Sequence, residues 1–131
     1  MEVSIQSKKP YSSFLGKKHP SKYNHVSIAL NDERSNIHNL INDRVDLMLK
    51  NGLLNEAEQL HKYSHLNTLN TVGYKELFNY LDGKVSKVDA VEHIKRNTRR
   101  FAKKQITWLN NNGKHHWFNP NDSFDDIKGV L

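Results

Sequence analysis

The chain has 131 residues, of which 36% are hydrophobic, and its 20 Lys and Arg outnumber its 14 Asp and Glu, which gives a formal net charge of +6. This length suits one modest domain, and the low apolar fraction predicts a thin core, or a core completed by a segment outside the chain. The sequence contains no Cys, which excludes disulfides and thiolate metal sites. No apolar run approaches the roughly 18 residues of a membrane span, and no apolar leader follows Met1, so we expect a cytoplasmic protein without a membrane partner.

The first part of the chain predicts an arm, a strand and a helix. Residues 1–24 are polar and basic without a clear period, and they predict an irregular or partly helical arm. Residues 25–30 are rich in β-formers and predict a short strand. Because no second good strand lies nearby, we expect a larger sheet to be missing. Asp32 is a candidate N-cap for a helix that runs to about Lys50 and stops at Asn51-Gly52.

The remainder predicts a mainly α architecture with one or two short strands. Residues 53–63 and 73–81 predict two helices joined by a connection over 66–72. Ser86, followed by Asp89, resembles a capping box and opens a long helix that runs to about Asn110. The last two predicted elements are a short strand at 115–119 and a helical turn or two at 124–130.

The most informative segment is the basic part of the long helix, KRNTRRFAKKQITW at 95–108. Six of the ten residues from Lys95 to Lys104 are basic and none is acidic. On a helix the cations cover about half the cylinder, with Thr107 inside their arc. Such a face suits phosphate oxygens, and a merely solvated basic face is the alternative. The opposite arc is predicted to be buried and carries Ala90, Val91, Ile94, Phe101, Trp108 and Leu109, with Thr98 and Gln105 among them.

Arg44 is predicted to project into the apolar face of the first long helix. A guanidinium there is costly unless it is paired. One reading is structural, with an ion pair to Glu76 or Glu92 or a bend that lets Arg44 reach water. The other is a bidentate grip on a phosphate group. The predicted apolar face consists of Ile37, Leu40, Ile41, Leu47 and Met48.

The connection from Asn70 to Lys75 places a Gly, an aromatic and a base at a helix start. Helix N-termini offer free N–H groups to anions, and Tyr74 could stack on an unpaired base. The alternative is an ordinary helix start with Tyr74 in the core.

Catalytic motifs are missing from the sequence. The eight His show no metal-ligand spacing with a third ligand, and neither a nucleophile–base pair nor a GxxxxGK[ST] phosphate loop is present. Taken alone, the chain is typical of a binding surface without its own catalytic centre.

Three motifs together resemble one enzyme family. They are INDRVDLMLKNGLLNEAEQL (41–60), LNTVGYKELFNYLDG (69–83) and TRRFAKKQITWL (98–109). Their order and spacing resemble the C-terminal portion of the bacterial tRNA dimethylallyltransferases, also called tRNA isopentenyl-diphosphate transferases. The resemblance covers about residues 26–118. It implies that 1–24 is the end of the family's inserted helical domain and 25–131 the C-terminal helical part of the transferase core.

The resemblance implies a larger P-loop-type α/β enzyme of the kind that binds nucleotides such as ATP. That enzyme transfers a dimethylallyl group from dimethylallyl diphosphate to N6 of the adenosine 3′ of the tRNA anticodon, using Mg²⁺. Its partner is the tRNA anticodon arm, and the complete enzyme is expected to be a monomer. The phosphate loop and the catalytic Asp match nothing in this chain, so we expect a fragment that is inactive by itself. A free-standing helical RNA-binding module and a purely structural helical domain are the alternatives.

Site residues follow from the resemblance by position. Arg44 resembles the family arginine that holds the substrate diphosphate. Lys104 stands where the family more often has Arg, which puts a bidentate contact there in doubt. The residues that resemble tRNA-contacting positions are Asn70, Thr71, Val72, Gly73, Tyr74, Lys75, Lys103, Lys104, Gln105, Thr107 and Trp108. The basic face of the long helix adds Arg96, Arg99 and Arg100 as predicted tRNA-contacting residues.

Overall fold

The computed structural model describes residues 2–14 and 22–129. The part of the predicted arm at 15–21 and the end of the last predicted helix at Val130 lie outside these residues. The division into 1–24 and 25–131 stays a prediction. The helices are α1 (Glu2–Ser7), α2 (Arg34–Lys50), α3 (Leu53–Leu60), α4 (Tyr74–Leu81), α5 (Lys87–Asn111) and α6 (Phe124–Lys128), and the strands are β1 (Ile28–Leu30) and β2 (His116–Phe118).

The mainly α architecture with two short strands is confirmed. β1 and β2 form a two-stranded parallel sheet with Ala29 opposite Trp117. β1 is therefore not the unpaired strand that we expected from its sequence neighbourhood, because its partner follows all of α2 to α5. A parallel pair requires such a long crossover, and here the crossover is the helical bundle itself.

α2 begins one residue later than a cap at Asp32 would place it, because Glu33 is the N-cap residue. Asp32 instead accepts the Glu33 backbone N–H at 2.7 Å and the Asn119 side-chain amide at 3.0 Å. These hydrogen bonds hold the pKa of Asp32 below its ordinary value of 3.8, the Glu33 bond having the largest effect. Asp32 thus ties the start of α2 to the segment that follows β2.

The core lies where α2, α3, α4 and α5 meet. Leu77 and Ile94 are its largest fully buried side chains, and they come from α4 and α5, which pack along each other. Removal of this apolar surface from water stabilises the bundle. The buried cluster consists of Val45, Leu53, Ala57, Leu77, Phe78 and Ile94.

The predicted buried arc of α5 is correct in the first half of the helix and wrong at Phe101 and Trp108 in the second. Ala90 and Ile94 are buried, whereas Phe101 is 65% exposed and Trp108 60% exposed. Beyond Arg99 the half-buried residues are Leu109, which was predicted, and Ala102 and Ile106, which lie further around the helix. The core cluster packs against the first half of α5. The second half of α5 faces the start of α2, and it does so with a different side of the helix.

Candidate nucleic-acid interface

A cleft of about 630 Å³ separates the start of α2 from the basic face of α5. Five cationic side chains line it, Arg34 from α2 and four from α5. These cations outnumber the acidic side chains that line the cleft. Because like charges repel, such a cluster of cations favours a bound anion. The lining residues are Asn31, Asp32, Arg34, Ile37, His38, Arg96, Arg99, Arg100, Ala102, Lys103, Ile106 and Thr107.

Five of the predicted tRNA-contacting residues meet in this cleft, namely Arg96, Arg99, Arg100, Lys103 and Thr107. Arg99 is also held from behind, since its Nη1 donates to Asn42 Oδ1 of α2 at 2.7 Å. That hydrogen bond fixes the position of the Arg99 guanidinium, and because Asn42 is uncharged it does not neutralise the positive charge.

The α2 side of the cleft was not predicted from the sequence. Arg34 and His38 are four residues apart, so they share one face of the first turns of α2, and both line the cleft. Their spacing was visible in the sequence, but nothing in it showed that this face lies opposite α5.

A second, shallower groove of about 370 Å³ continues along the outer half of α5. It shares Lys103 and Thr107 with the cleft and adds Lys104 and Trp108. The exposed indole of Trp108 beside two lysines is a surface on which an unpaired base can stack. Gln105 is exposed but lines neither the cleft nor the groove.

Both hydroxyls singled out on α5 are used within the helix. Thr107 Oγ1 donates to the Lys103 carbonyl at 2.9 Å, and Thr98 Oγ1 donates to the Ile94 carbonyl at 2.8 Å. The Thr98 donor is therefore satisfied within α5 itself. Thr107 keeps only acceptor capacity, so its hydroxyl in this conformation does not donate to a phosphate.

Lys95 belongs to the bundle rather than to the cleft. Its Nζ lies 2.8 Å from Asp46 Oδ1 on α2, and Glu92 lies 3.9 Å away on its own helix. The basic face available to a ligand thus begins at Arg96.

The connection before α4 forms a tight turn at Gly73, where φ is +107°. Such a backbone conformation favours Gly. The Gly73 N–H donates to Glu76 Oε2 at 2.8 Å, so this N–H is not free for an anion. Asn70, Thr71, Val72 and Lys75 are exposed.

Tyr74 fits the core alternative better than the stacking one. It is half-buried, its ring stacks on Phe78 with centroids 6.0 Å apart, and its hydroxyl donates to Glu56 Oε1 at 2.6 Å. The hydrogen bond to Glu56 raises the pKa of Tyr74 above its ordinary value of 10.0. One face of the ring and its hydroxyl are therefore both occupied.

Arg44 is exposed, so its predicted place in the core-facing side of α2 is wrong. It lies on the same face as Leu40 and Leu47, which are 63% and 55% exposed. Of the residues predicted to share that face, Ile37, Ile41 and Met48 are half-buried, and the buried residue of α2 is Val45.

The ion-pair reading of Arg44 is also wrong. Glu76 is bound to Gly73 and Asn97, and Glu92 lies near Lys95. Within residues 2–14 and 22–129, no acidic side chain forms an ion pair with Arg44. Its guanidinium is therefore available to a ligand.

In the part of the chain that the structure describes, no three His, Asp or Glu side chains converge as metal ligands. No helix there is long and apolar enough to cross a membrane.

A family model described as IPP transferase matches residues 1–112. The chain is 46% identical over its whole length to the tRNA dimethylallyltransferase of Christiangramia forsetii and covers 45% of that protein. It is 47% identical over 97% of its length to the tRNA dimethylallyltransferase of Flavobacterium johnsoniae and covers 41% of it. The chain thus spans less than half the length of these curated relatives.

Two solved structures resemble the fold. The full-length tRNA isopentenylpyrophosphate transferase of Bacillus halodurans superposes with a TM-score of 0.75 at 39% identity, over 85% of this chain and 38% of that one. The tRNA isopentenylpyrophosphate transferase of Staphylococcus epidermidis gives 0.77 at 31% identity, over 98% and 45%. Sequence and fold agree over most of the described bundle, and the chain belongs to the IPP transferase family.

Proposed function

We propose that this chain is the C-terminal, tRNA-contacting part of a tRNA dimethylallyltransferase. In the reaction, N6 of the adenosine 3′ of the anticodon forms a bond to the dimethylallyl carbon and loses a proton. The bond from that carbon to the diphosphate oxygen breaks, and diphosphate leaves. The chain's own contribution is to bind the RNA and to present Arg44 to the diphosphate.

The cation-lined cleft carries this proposal. The cations that reach it from two helices are Arg34, Arg96, Arg99, Arg100 and Lys103, and phosphate contacts of this kind supply a large share of the affinity of nucleic-acid-binding proteins. Bases that are unpaired in an anticodon loop can then use the adjoining groove at Trp108. A solvated basic face would not require cations from a second helix.

The exposed Arg44 supports the second role. A diphosphate accepts bidentate hydrogen bonds from a guanidinium, and Arg44 has no ion-pair partner among the described residues to give up first. The leucines beside it remain exposed, so the diphosphate pocket would need walls from residues beyond those described.

Mg²⁺ has no ligand set among the described residues. None of the roles proposed for this chain depends on that ion, on a nucleotide or on the localisation of the enzyme. Cytoplasmic localisation and a monomeric complete enzyme remain part of the proposal and rest on the family alone.

Transfer assays with and without the remainder of the enzyme test the proposal. We expect the 131-residue chain, mixed with dimethylallyl diphosphate, Mg²⁺ and an anticodon stem-loop RNA, to leave the RNA mass unchanged, because its sequence contains no phosphate loop. The product of the gene's complete reading frame should add one dimethylallyl group to the RNA. A complete protein without this activity, or an upstream sequence without an in-frame GxxxxGK[ST], would instead favour a free-standing RNA-binding module.

A further inference from the structure

Glu76 is the buried charged residue of the bundle, and its surroundings are unusual for a carboxylate. It is 5% exposed, and no cation among residues 2–14 and 22–129 forms an ion pair with it. A buried carboxylate is costly unless hydrogen bonds compensate it. Its two oxygens accept from Gly73 N–H at 2.8 Å and from the Asn97 side-chain amide at 2.7 Å.

These two donors belong to the two segments in which the sequence predicts tRNA-contacting residues. Gly73 is the turn residue of the segment from Asn70 to Lys75, and Asn97 lies on α5 next to Arg96. One buried group therefore joins both segments, although Asn97 follows Glu76 by 21 residues in the chain.

The carboxylate also determines which way the Asn97 amide points. An ionised carboxylate can only accept hydrogen bonds, so Asn97 must turn its NH₂ group towards Glu76. The Asn97 oxygen then faces the other way, where Arg100 Nη1 donates to it at 3.4 Å. The Glu76 carboxylate therefore accepts a hydrogen bond from the Asn97 amide, and the Asn97 oxygen accepts one from the Arg100 guanidinium, which lines the cleft.

We propose that Glu76 is a positioning residue for RNA binding, which orients the Arg100 guanidinium through Asn97 and holds the Gly73 turn beside it. The inference rests on the proposed function, because it assumes that Arg100 contacts RNA phosphate. The plain alternative is that Glu76, at the third position of α4, only caps that helix.

Glu76→Gln separates the two readings. The glutamine side chain has the same shape, but if its oxygen keeps the Gly73 bond, its NH₂ group faces Asn97 and forces that amide to turn over. Arg100 then meets an NH₂ group and loses its acceptor. The substitution raises the net charge by one, which by itself strengthens RNA binding. Weaker binding by Glu76→Gln therefore cannot be an effect of net charge.

The experiment measures the affinity of the chain for an anticodon stem-loop RNA at one low salt concentration and well below the unfolding temperature. We expect Arg100→Ala and Glu76→Gln each to weaken binding roughly fivefold, as when a single phosphate interaction is removed, and the double variant to be no weaker than either.

The possible failures are distinguishable. If Arg100→Ala binds RNA as tightly as the original chain, the RNA surface itself is contradicted. If Arg100→Ala weakens binding but Glu76→Gln changes only thermal stability, or if the two losses multiply, Glu76 is only a helix cap. Should Glu76→Gln not fold, Asn97→Ala gives the same test, because it also removes the acceptor of Arg100 and should not add to Arg100→Ala. Lys87→Ala, an exposed change at the start of α5, is the matched control for Arg100→Ala and should lower affinity far less than Arg100→Ala does.

Discussion

Replacing Arg96, Arg100 and Lys103 together by Ala is expected to lower the affinity for an anticodon stem-loop RNA by about a hundredfold at low salt. All three side chains line the cleft, and none forms an ion pair within the described residues. Each phosphate interaction that the variant cannot make also removes counterion release, so the slope of log affinity against log salt should become shallower by about 2.4. Fluorescence anisotropy over a salt series measures both quantities.

The control for this triple variant removes the same charge elsewhere. Lys50, Lys87 and Lys128 are exposed and line neither the cleft nor the groove. Their replacement by Ala should change affinity several-fold at most, through the weaker long-range field. Equal losses in the two triple variants would mean that only net charge attracts the RNA, and an unchanged affinity in both would favour the purely structural domain.

Arg44→Ala, made in the complete enzyme, is expected to lower kcat/KM for dimethylallyl diphosphate by about tenfold or more, because a charge-assisted hydrogen bond to a phosphate group disappears. Thermal stability should stay within about 0.5 kcal/mol of the original, because the side chain is exposed and substitutions at such positions have small effects. Steady-state kinetics and a thermal melt of the same preparation give both values. A functional role for Arg44 thus predicts a change in kinetics, whereas a structural role predicts a change in thermal stability.

Lys50→Ala is the matched control for Arg44, since it removes an exposed cation from the same helix. It should leave both kinetics and stability unchanged. Normal kinetics for Arg44→Ala would refute its assignment to the diphosphate. A large loss of stability would show that Arg44 has a structural partner in the complete enzyme.

Local signals in the sequence predicted most element boundaries, because the residues that end helices act on their own neighbours. Gly52 adopts a left-handed conformation between α2 and α3, and the Ser86 hydroxyl accepts the Asp89 N–H at the start of α5. The pairing of β1 with β2 could not be predicted from such local signals. It lies beyond the whole bundle, and no local pattern specifies which distant strand completes a parallel pair.

Periodicity alone could not show which stripe of a helix faces the core. Leu40 and Leu47 form an apolar stripe on α2 as regular as the one that is buried at Val45, yet they are exposed. The choice depends on the position of α3 and α5, which the α2 sequence does not contain. For the same reason Phe101 and Arg44 were predicted on core-facing stripes, although both side chains are exposed.

The candidate site was predicted on its α5 side and missed on its α2 side. A dense run of cations is visible in the sequence, whereas Arg34 enters the cleft only through the packing of α2 against α5. Likewise, Glu76 and Asn97 are separated by 21 residues, and their hydrogen bond follows from two helices crossing. Long-range pairs of this kind leave no spacing in a single sequence.

The most direct test of an RNA-binding surface is the affinity of the unmodified 131-residue chain for an anticodon stem-loop RNA as a function of salt. Five cations line the cleft, so we expect log affinity to fall linearly with log salt, with a slope of about −4. Binding should also exceed that of a fully paired RNA duplex with the same number of nucleotides, since the groove at Trp108 requires unpaired bases. Absence of binding at low salt, or a slope near zero, would contradict the account.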